Sequence, residues 1–403
     1  MLPLYSYRGF EGDINLYKFR FLLSLAFILP FIINFNKKRI SNFAIFILLI
    51  GILIPTSSMF AFGGLNYHWF FLNLIFFIFL TLVNNFLSKI EYDVPTFLIP
   101  KIFKPLLYTL FFVSLIFFVQ YYGINFDVNL LSFDQDLIYL QRSAYKSISA
   151  PSGIFNYISS HLTHVFLPVL FAYSILNRKW ASIIFLLVVT MIIFSTSAMK
   201  SLPIIMLVLL CIIFVEKKFI NNTAHSYLLF YSLGLLLINI FFFIFPTLII
   251  IPSLIIYRAI FVPTLVGRYY YEFFQEYNYT YFLDSNIIST LVNQSYYLDG
   301  LPYRIGEAYF SEGLYANTGL VADGYSKLGV IGIFIIAVAL ISALHFIDML
   351  SKDKNQIMIK SMLVYPLLFL INGSLITSFF TGGLFMSTIL IATYPTKFGE
   401  INN

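Results

Sequence analysis

Charge is the scarcest property of this 403-residue chain: Asp, Glu, Lys and Arg make up 10% of it, against 60% hydrophobic residues. A water-soluble domain carries about 25% charged residues, so this chain could not cover its surface in water. The bilayer has to be the solvent for most of it. Cysteine is nearly absent. The single Cys211 lies in an apolar run, which excludes a disulfide framework and a cysteine-based metal site. No Walker motif, Rossmann fingerprint or Ser-His-Asp arrangement is found, so any driving energy has to come from the substrate itself. Internal repeats of the kind that build pseudo-symmetric transporters are missing, as is a low-complexity linker. One membrane-embedded domain over residues 1–403 is therefore expected. The opening MLPLYSYRGFEGDINLYKFR is polar and aromatic, not a basic region leading into an apolar one, and no cleavable signal peptide is expected.

What the chain does have is length of apolar run. Mean hydropathy is +0.88, and many runs reach the roughly 20 residues a helix needs to cross hydrocarbon. They lack the alternation of a barrel strand, so the expected fold is an all-α polytopic membrane protein. Eleven spans (ten to twelve) are predicted, at about 16–34, 43–60, 69–87, 105–122, 154–176, 181–199, 201–215, 226–251, 328–347, 361–377 and 379–395. Pro30, Pro168, Pro246 and Pro366 are tolerable inside such helices. Gly63-Gly64 and Gly382-Gly383 read as turns or close helix packing.

Charge then orients the spans. Alternate loops carry Lys37-Lys38-Arg39, Lys89/Lys101/Lys104, Arg178-Lys179, Lys217-Lys218 and Lys352/Lys354/Lys360; with Lys397 they hold fourteen basic residues against six acidic ones. The other side holds ten basic and twelve acidic residues. The positive-inside rule puts the first set in the cytoplasm, so two long loops, about 123–153 and 252–327, share the outer face. Lys18 and Arg20 fit this scheme awkwardly, at the outer end of the first span. The net charge of +6 is explained by this asymmetry, and nucleic acid is not an expected partner.

Residues 252–327 are the chemically dense part, with three arginines (Arg258, Arg268, Arg304), seven carboxylates and thirteen tyrosines. Aromatic faces suit sugar rings and guanidinium groups suit phosphates, which points to a lipid-phosphate-linked sugar. The segment reads IIYRAIFVPTLVGRYYYEFF, LPYRIGEAYF and YANTGLVADGYSKLGVIGIF, preceded by AYKSISAPSG and STSAMKSLPIIM. Together these stretches resemble the oligosaccharide repeat-unit polymerases of bacterial surface polysaccharide synthesis, the Wzy family. The resemblance covers most of the chain in layout and roughly residues 142–335 in detail. Its most specific parts are Arg-x-x-x-x-Pro before an aromatic run and the later Asn-Thr-Gly…Asp-Gly-Tyr…Gly-x-x-Gly.

The resemblance implies a GT-C-like membrane enzyme of the bacterial inner membrane that works on the outer face without a metal or other cofactor. It would move a growing glycan en bloc from undecaprenyl pyrophosphate to the non-reducing end of the next lipid-linked repeat unit. Membrane lipids, a chain-length regulator and a flippase are the partners such a reaction implies. A ligase of the same chemistry and a lipid-linked oligosaccharide flippase are the rival readings.

The candidate residues follow from the chemistry. A departing pyrophosphate gathers negative charge, and fixed arginines stabilise it better than lysines because they stay charged and bind two oxygens at once. Arg258 and Arg268 are ten apart, about 80° short of three helical turns, and Arg304 arrives from a separate stretch. The alternative for each is snorkelling, or pairing with a Glu such as Glu272 or Glu276. Lys200 would add a phosphate contact or snorkel; Arg142, with Lys146 four residues on, would join the basic pocket or line a solvated helix face. A proton acceptor for the attacking hydroxyl is sought in Asp323 or Glu307, with Asp323 alternatively capping the following helix. Asn317, Tyr325 and Tyr270 are candidates for holding sugar, and the Tyr alternative is an interfacial anchor. His161 and His164 are three apart on one face; interhelical hydrogen bonding and a place in the catalytic set are both open for His161, whereas zinc lacks a third ligand. Asp134-Gln135-Asp136 fits a divalent-cation site or the start of a helix.

Overall fold

Backbone in hydrocarbon must satisfy its own hydrogen bonds, and the computed structural model of the chain is built from helices, with no strand among the described residues. Those residues are 15–22, 39–90, 100–124, 141, 153–199, 201–218, 233–234, 261–284, 289, 292–294, 297, 300–311 and 313–396. In chain order the helices are α1 (Ile40–Phe62), α2 (Tyr67–Leu87), α3 (Phe103–Tyr122), α4 (Phe155–Leu176), α5 (Trp180–Ser197), α6 (Ser201–Lys218), α7 (Val262–Glu276), α8 (Leu301–Tyr309), α9 (Leu320–Leu350), α10 (Gln356–Phe369) and α11 (Leu375–Thr393).

Seven of these are long and apolar enough to cross a membrane: α1 to α5, α9 and α11. Each answers to an expected span. The expected span at 201–215 is helix α6, whose last turn carries Glu216, Lys217 and Lys218. That at 361–377 stops short, because α10 ends at Phe369 and a turn through Gly373 leads into α11. Residues 16–22 are helical, but most of the 16–34 and 226–251 spans lies outside the described residues. Residues 252–327, expected as a long segment between spans, hold α7 and α8, neither of which is long and apolar enough to cross a membrane. The expected span start near Leu328 coincides with a break: helical turns from Leu320 bury the polar run Asp323–Lys327, and helical geometry resumes after Gly329.

The chain divides into two compact units. The first comprises Met1–Tyr92, Ala224–Asp348 and Leu367–Ile376; the second comprises Asp93–Thr223, Met349–Pro366 and Thr377–Asn403. In the first unit α2 packs on α9 through Phe79 and Phe334, whose rings meet edge to face at 4.8 Å. Helix α1 has no side-chain cap of its own. Asp348, near the end of α9, supplies one: its carboxylate accepts the Ser41 N–H (2.9 Å) and pairs with Arg39 (2.9 Å). The start of α1 and the end of α9 therefore share one end of this unit. At the other end Lys18 finds its partners. Its Nζ donates to the Leu65 carbonyl (2.8 Å) in the turn between α1 and α2, and lies 4.8 Å and 4.9 Å from the Phe60 and Tyr67 ring centres.

The second unit holds α3 to α6 with most of α10 and α11. Tyr121 and Phe155 join α3 to α4 at 4.3 Å. A π turn over Leu162–Phe166 interrupts α4. Gly383 (φ +90°) passes so close to Val165 that a Cβ there would overlap its side chain. Glu216 and Lys360 form a buried ion pair at 2.6 Å between α6 and α10. Lys354 donates to the last carbonyls of α11, Ile391 (2.6 Å) and Ala392 (3.1 Å), and burial pulls its pKa down to about 8.

Candidate functional site

The site is built around a break in α9. The backbone leaves helical geometry at Leu328 and at Gly329, which has φ +60°. Only glycine adopts that conformation freely, and a Cβ on Gly329 would also stand 2.7 Å from the Tyr279 hydroxyl. A break strips carbonyls of their helical partners. Here Ser326 and Lys327 accept instead from the N–H groups of Thr280 (2.9 Å) and Tyr281 (3.1 Å). Gly324 and Gly332 press backbone to backbone across the break, and Gly319 lies against the Ile371 carbonyl; a Cβ on any of the three would clash. Three glycines of the Asn-Thr-Gly…Asp-Gly-Tyr…Gly-x-x-Gly pattern are thus positions where one backbone passes another, and the fourth, Gly329, makes the break.

Charge is buried at the same break. Lys327 lies between Asp284 and Asp323, pairing with the first and standing 3.3 Å from the second. Asp284 also accepts from the Thr280 hydroxyl (2.8 Å), and Asp323 from the Leu375 N–H (3.4 Å). Asp323 falls in the first turn of α9, where its negative charge faces the positive end of the helix dipole. Both of its oxygens are engaged and it is buried. Sequence reasoning missed Lys327 and Asp284. The first had a signal, since Asp323 and Lys327 are four apart and would share a helix face. The second, 43 residues from Lys327, had none.

Outside this buried cluster, α7 and α8 carry the accessible charge. Pro263 opens α7 at a position where a missing N–H costs nothing. Arg268 Nε donates to Glu272 Oε1 (2.6 Å), four residues along α7. Arg304 stands 3.6 Å from Glu307, three residues along α8. Each arginine is held by a carboxylate of its own helix. The two helices join where Tyr269 stacks on Tyr309 at 4.5 Å, with Phe310 at its edge (5.3 Å). Burial, then Glu272 and Glu276, push the Tyr309 phenol up to about 12, so it is a neutral donor at any physiological pH.

Tyr270 is buried, and its hydroxyl donates to the Ala316 carbonyl (3.1 Å). Burial, with Asp323 and Asp284 nearby, raises its pKa well above the ordinary phenol value. It thereby positions the loop that carries exposed Asn317 and buried Thr318. Tyr325 is also buried. Its hydroxyl accepts from Gln275 Nε2, and its ring meets Tyr271 (5.1 Å), Tyr279 (5.8 Å) and Trp69 (6.3 Å). Arg268, Arg304, Glu307, Asn317, Tyr270, Tyr325 and Asp323 therefore all belong to the first unit.

His161 and His164 belong to the second, where the π turn of α4 presents them. His164 Nδ1 donates to the Thr381 carbonyl (2.9 Å) and its ring stacks on Tyr365 (4.1 Å). His161 Nδ1 is buried with no hydrogen-bond partner among the described residues. Arg258, Arg142, Lys146, Lys200, Asp134 and Asp136 lie outside the described residues. Among the described residues no three His, Cys, Asp or Glu side chains converge as metal ligands.

Each arginine, held by one part-exposed carboxylate of its own helix, can exchange that partner for an anion. No family model, curated protein or solved structure matches the chain.

Proposed function

We propose that this chain is a membrane glycosyltransferase of the Wzy type, an O-antigen or capsule repeat-unit polymerase of the bacterial inner membrane. It would have about eleven spans in a GT-C-like arrangement and work on the outer face. The growing glycan is carried on undecaprenyl pyrophosphate. A hydroxyl at the non-reducing end of the next lipid-linked unit attacks its anomeric carbon, the bond to the pyrophosphate oxygen breaks, and the carrier leaves as undecaprenyl pyrophosphate. Arg268 and Arg304 receive the phosphate charge, each exchanging a helix-internal carboxylate for phosphate oxygens. Glu307, released from Arg304 and 31% exposed, takes the hydroxyl proton. Asp323, enclosed by Lys327 and Leu375, holds the platform on which these groups stand.

The observation that carries this reading is the pairing of α7 with α8 at one end of the first unit, opposite the Arg39–Asp348 tie. A segment rich in arginine, carboxylate and tyrosine is folded and packed at the end of apolar helices, as a lipid-pyrophosphate glycan requires. The test is a gel profile of surface polysaccharide from a deletion strain. Single repeat units without long chains, restored by the wild-type gene but not by Arg268→Gln or Arg304→Gln at equal abundance, support polymerase. Long polymer that is made but never attached indicates a ligase.

The break in α9 favours a second reading. Discontinuous helices with buried Asp and Lys are found along the pathways of transporters, so a flippase for lipid-linked oligosaccharide is the alternative. Lipid-linked units trapped on the inner leaflet of the deletion strain would favour it.

A further inference from the structure

Between α1, α2, α7 and the start of α9 lies a small concavity whose walls carry no charge. Its polar lining is Thr56, Asn73, Thr264 and Thr318, and the indole of Trp69 forms an apolar wall. Small residues make room for it. Gly267 faces the indole, where a Cβ would stand 3.0 Å from a ring carbon. Gly51 lies in a π turn over Leu49–Leu53, a distortion that recurs at functional sites.

Two of the polar groups are spent on their own helices: the Thr56 hydroxyl donates to the Ile52 carbonyl (2.6 Å) and the Asn73 amide nitrogen to the Trp69 carbonyl (2.8 Å). Thr318 differs. It is 7% exposed, and its hydroxyl is buried without a hydrogen-bond partner among the described residues. A buried unpaired hydroxyl is costly, and the cost is offset when a ligand supplies the missing partner. The concavity therefore presents the Thr318 hydroxyl, the carbonyl oxygen of Asn73 and an aromatic wall, in a space suited to a few heavy atoms. A carboxylate or phosphate would find no counter-charge there, and a lone hydroxyl would leave the indole uncovered. An acetamido group has one acceptor, one donor and one methyl.

We infer that this concavity is the subsite for the acetamido substituent of an N-acetylated sugar in the repeat unit. The inference rests on the glycosyl-transfer reading and names the substrate class it acts on. Thr318 donates to the acetamido carbonyl, the Asn73 carbonyl accepts its N–H, and the methyl packs on Trp69.

The chain has two tryptophans, and the other, Trp180, is 71% exposed on α5. Trp180→Phe therefore leaves the indole of the concavity as the sole reporter. The full-length variant in nanodiscs is titrated with the methyl glycosides of N-acetylglucosamine and N-acetylgalactosamine, and with those of glucose and galactose. Saturable change in Trp69 emission with at least one N-acetylated sugar, absent with its parent hexose, is expected. Adding Thr318→Val should raise the half-saturating concentration about two- to tenfold, the range for one lost hydrogen bond, with unchanged helical circular dichroism. Equal responses to hexose and N-acetylated sugar overturn the inference, as does a silent Trp69 or an unshifted Thr318→Val titration. The glycosyl-transfer reading fails separately, if the deletion strain makes normal polymer.

Discussion

Two sets of ion pairs lie in one stretch of sequence and behave as opposites. Arg268–Glu272 and Arg304–Glu307 each join residues three or four apart on one helix, with side chains between 22% and 62% exposed. Lys327 joins Asp284 and Asp323 across separate segments, and none of the three side chains is more than 10% exposed. Pairs near water contribute about 0–1 kcal/mol, because solvent already screens each charge. Breaking a buried pair by removing one partner costs about 3–5 kcal/mol, because a charge is left without compensation. An arginine held only by its own helix can be handed to a ligand without disturbing the fold. A lysine that ties a helix break to a distant loop cannot. On the glycosyl-transfer proposal, binding falls to α7 and α8, and the platform to the break in α9.

The comparison breaks most readily at Lys327. Lys327→Met leaves two buried carboxylates facing each other, and a loss of about 3–5 kcal/mol is expected. Thermal unfolding of the protein in nanodiscs checks it. A loss as small as that of a surface pair would mean that the cluster supports nothing. Replacing both aspartates by asparagine in the same variant should recover part of the loss, since no charge then remains unpaired. Gly332→Ala comes next. Its Cβ would overlap the Gly324 carbonyl oxygen, and because backbone must move to accept it, about 1–3 kcal/mol is expected. Tyr270→Phe removes one hydrogen bond and leaves the Ala316 carbonyl unpaired. About 1 kcal/mol is expected, read from the same unfolding curves.

The spans themselves were legible because burial in lipid demands long uninterrupted apolar runs, and such runs are written locally. Residues Asp323 to Lys327 were not, for the opposite reason. Their polarity reads as loop, and only the partners brought by the fold, Asp284, Leu375 and the backbone at Thr280 and Tyr281, allow a helix to bury them. The arginines were legible as chemistry but not as geometry: the pairing of Arg268 with Glu272 was one of two open readings, and α7 and α8 were expected as loop. Lys18 looked misplaced for the same reason. Its partner is a carbonyl 47 residues away, in a turn whose approach no local pattern records.

The smallest effect on the fold should come from Arg268→Gln, and that is what makes it the sharpest test. The Arg268–Glu272 pair is intrahelical and part exposed, so its removal should cost less than about 1 kcal/mol. Glu272→Gln removes the same pair from the other side and should cost as little. If the pair matters only for stability, the two variants are equivalent in every assay. If Arg268 serves the pyrophosphate, they part company. Arg268→Gln then loses polymer at unchanged abundance, while Glu272→Gln keeps its cation and makes polymer normally. Loss of polymer in both, with normal unfolding curves, would shift the role from the guanidinium to the pair as a unit. Normal polymer in both would leave the accessible charges of α7 without a part in binding, and the contrast with the buried cluster would then describe stability alone.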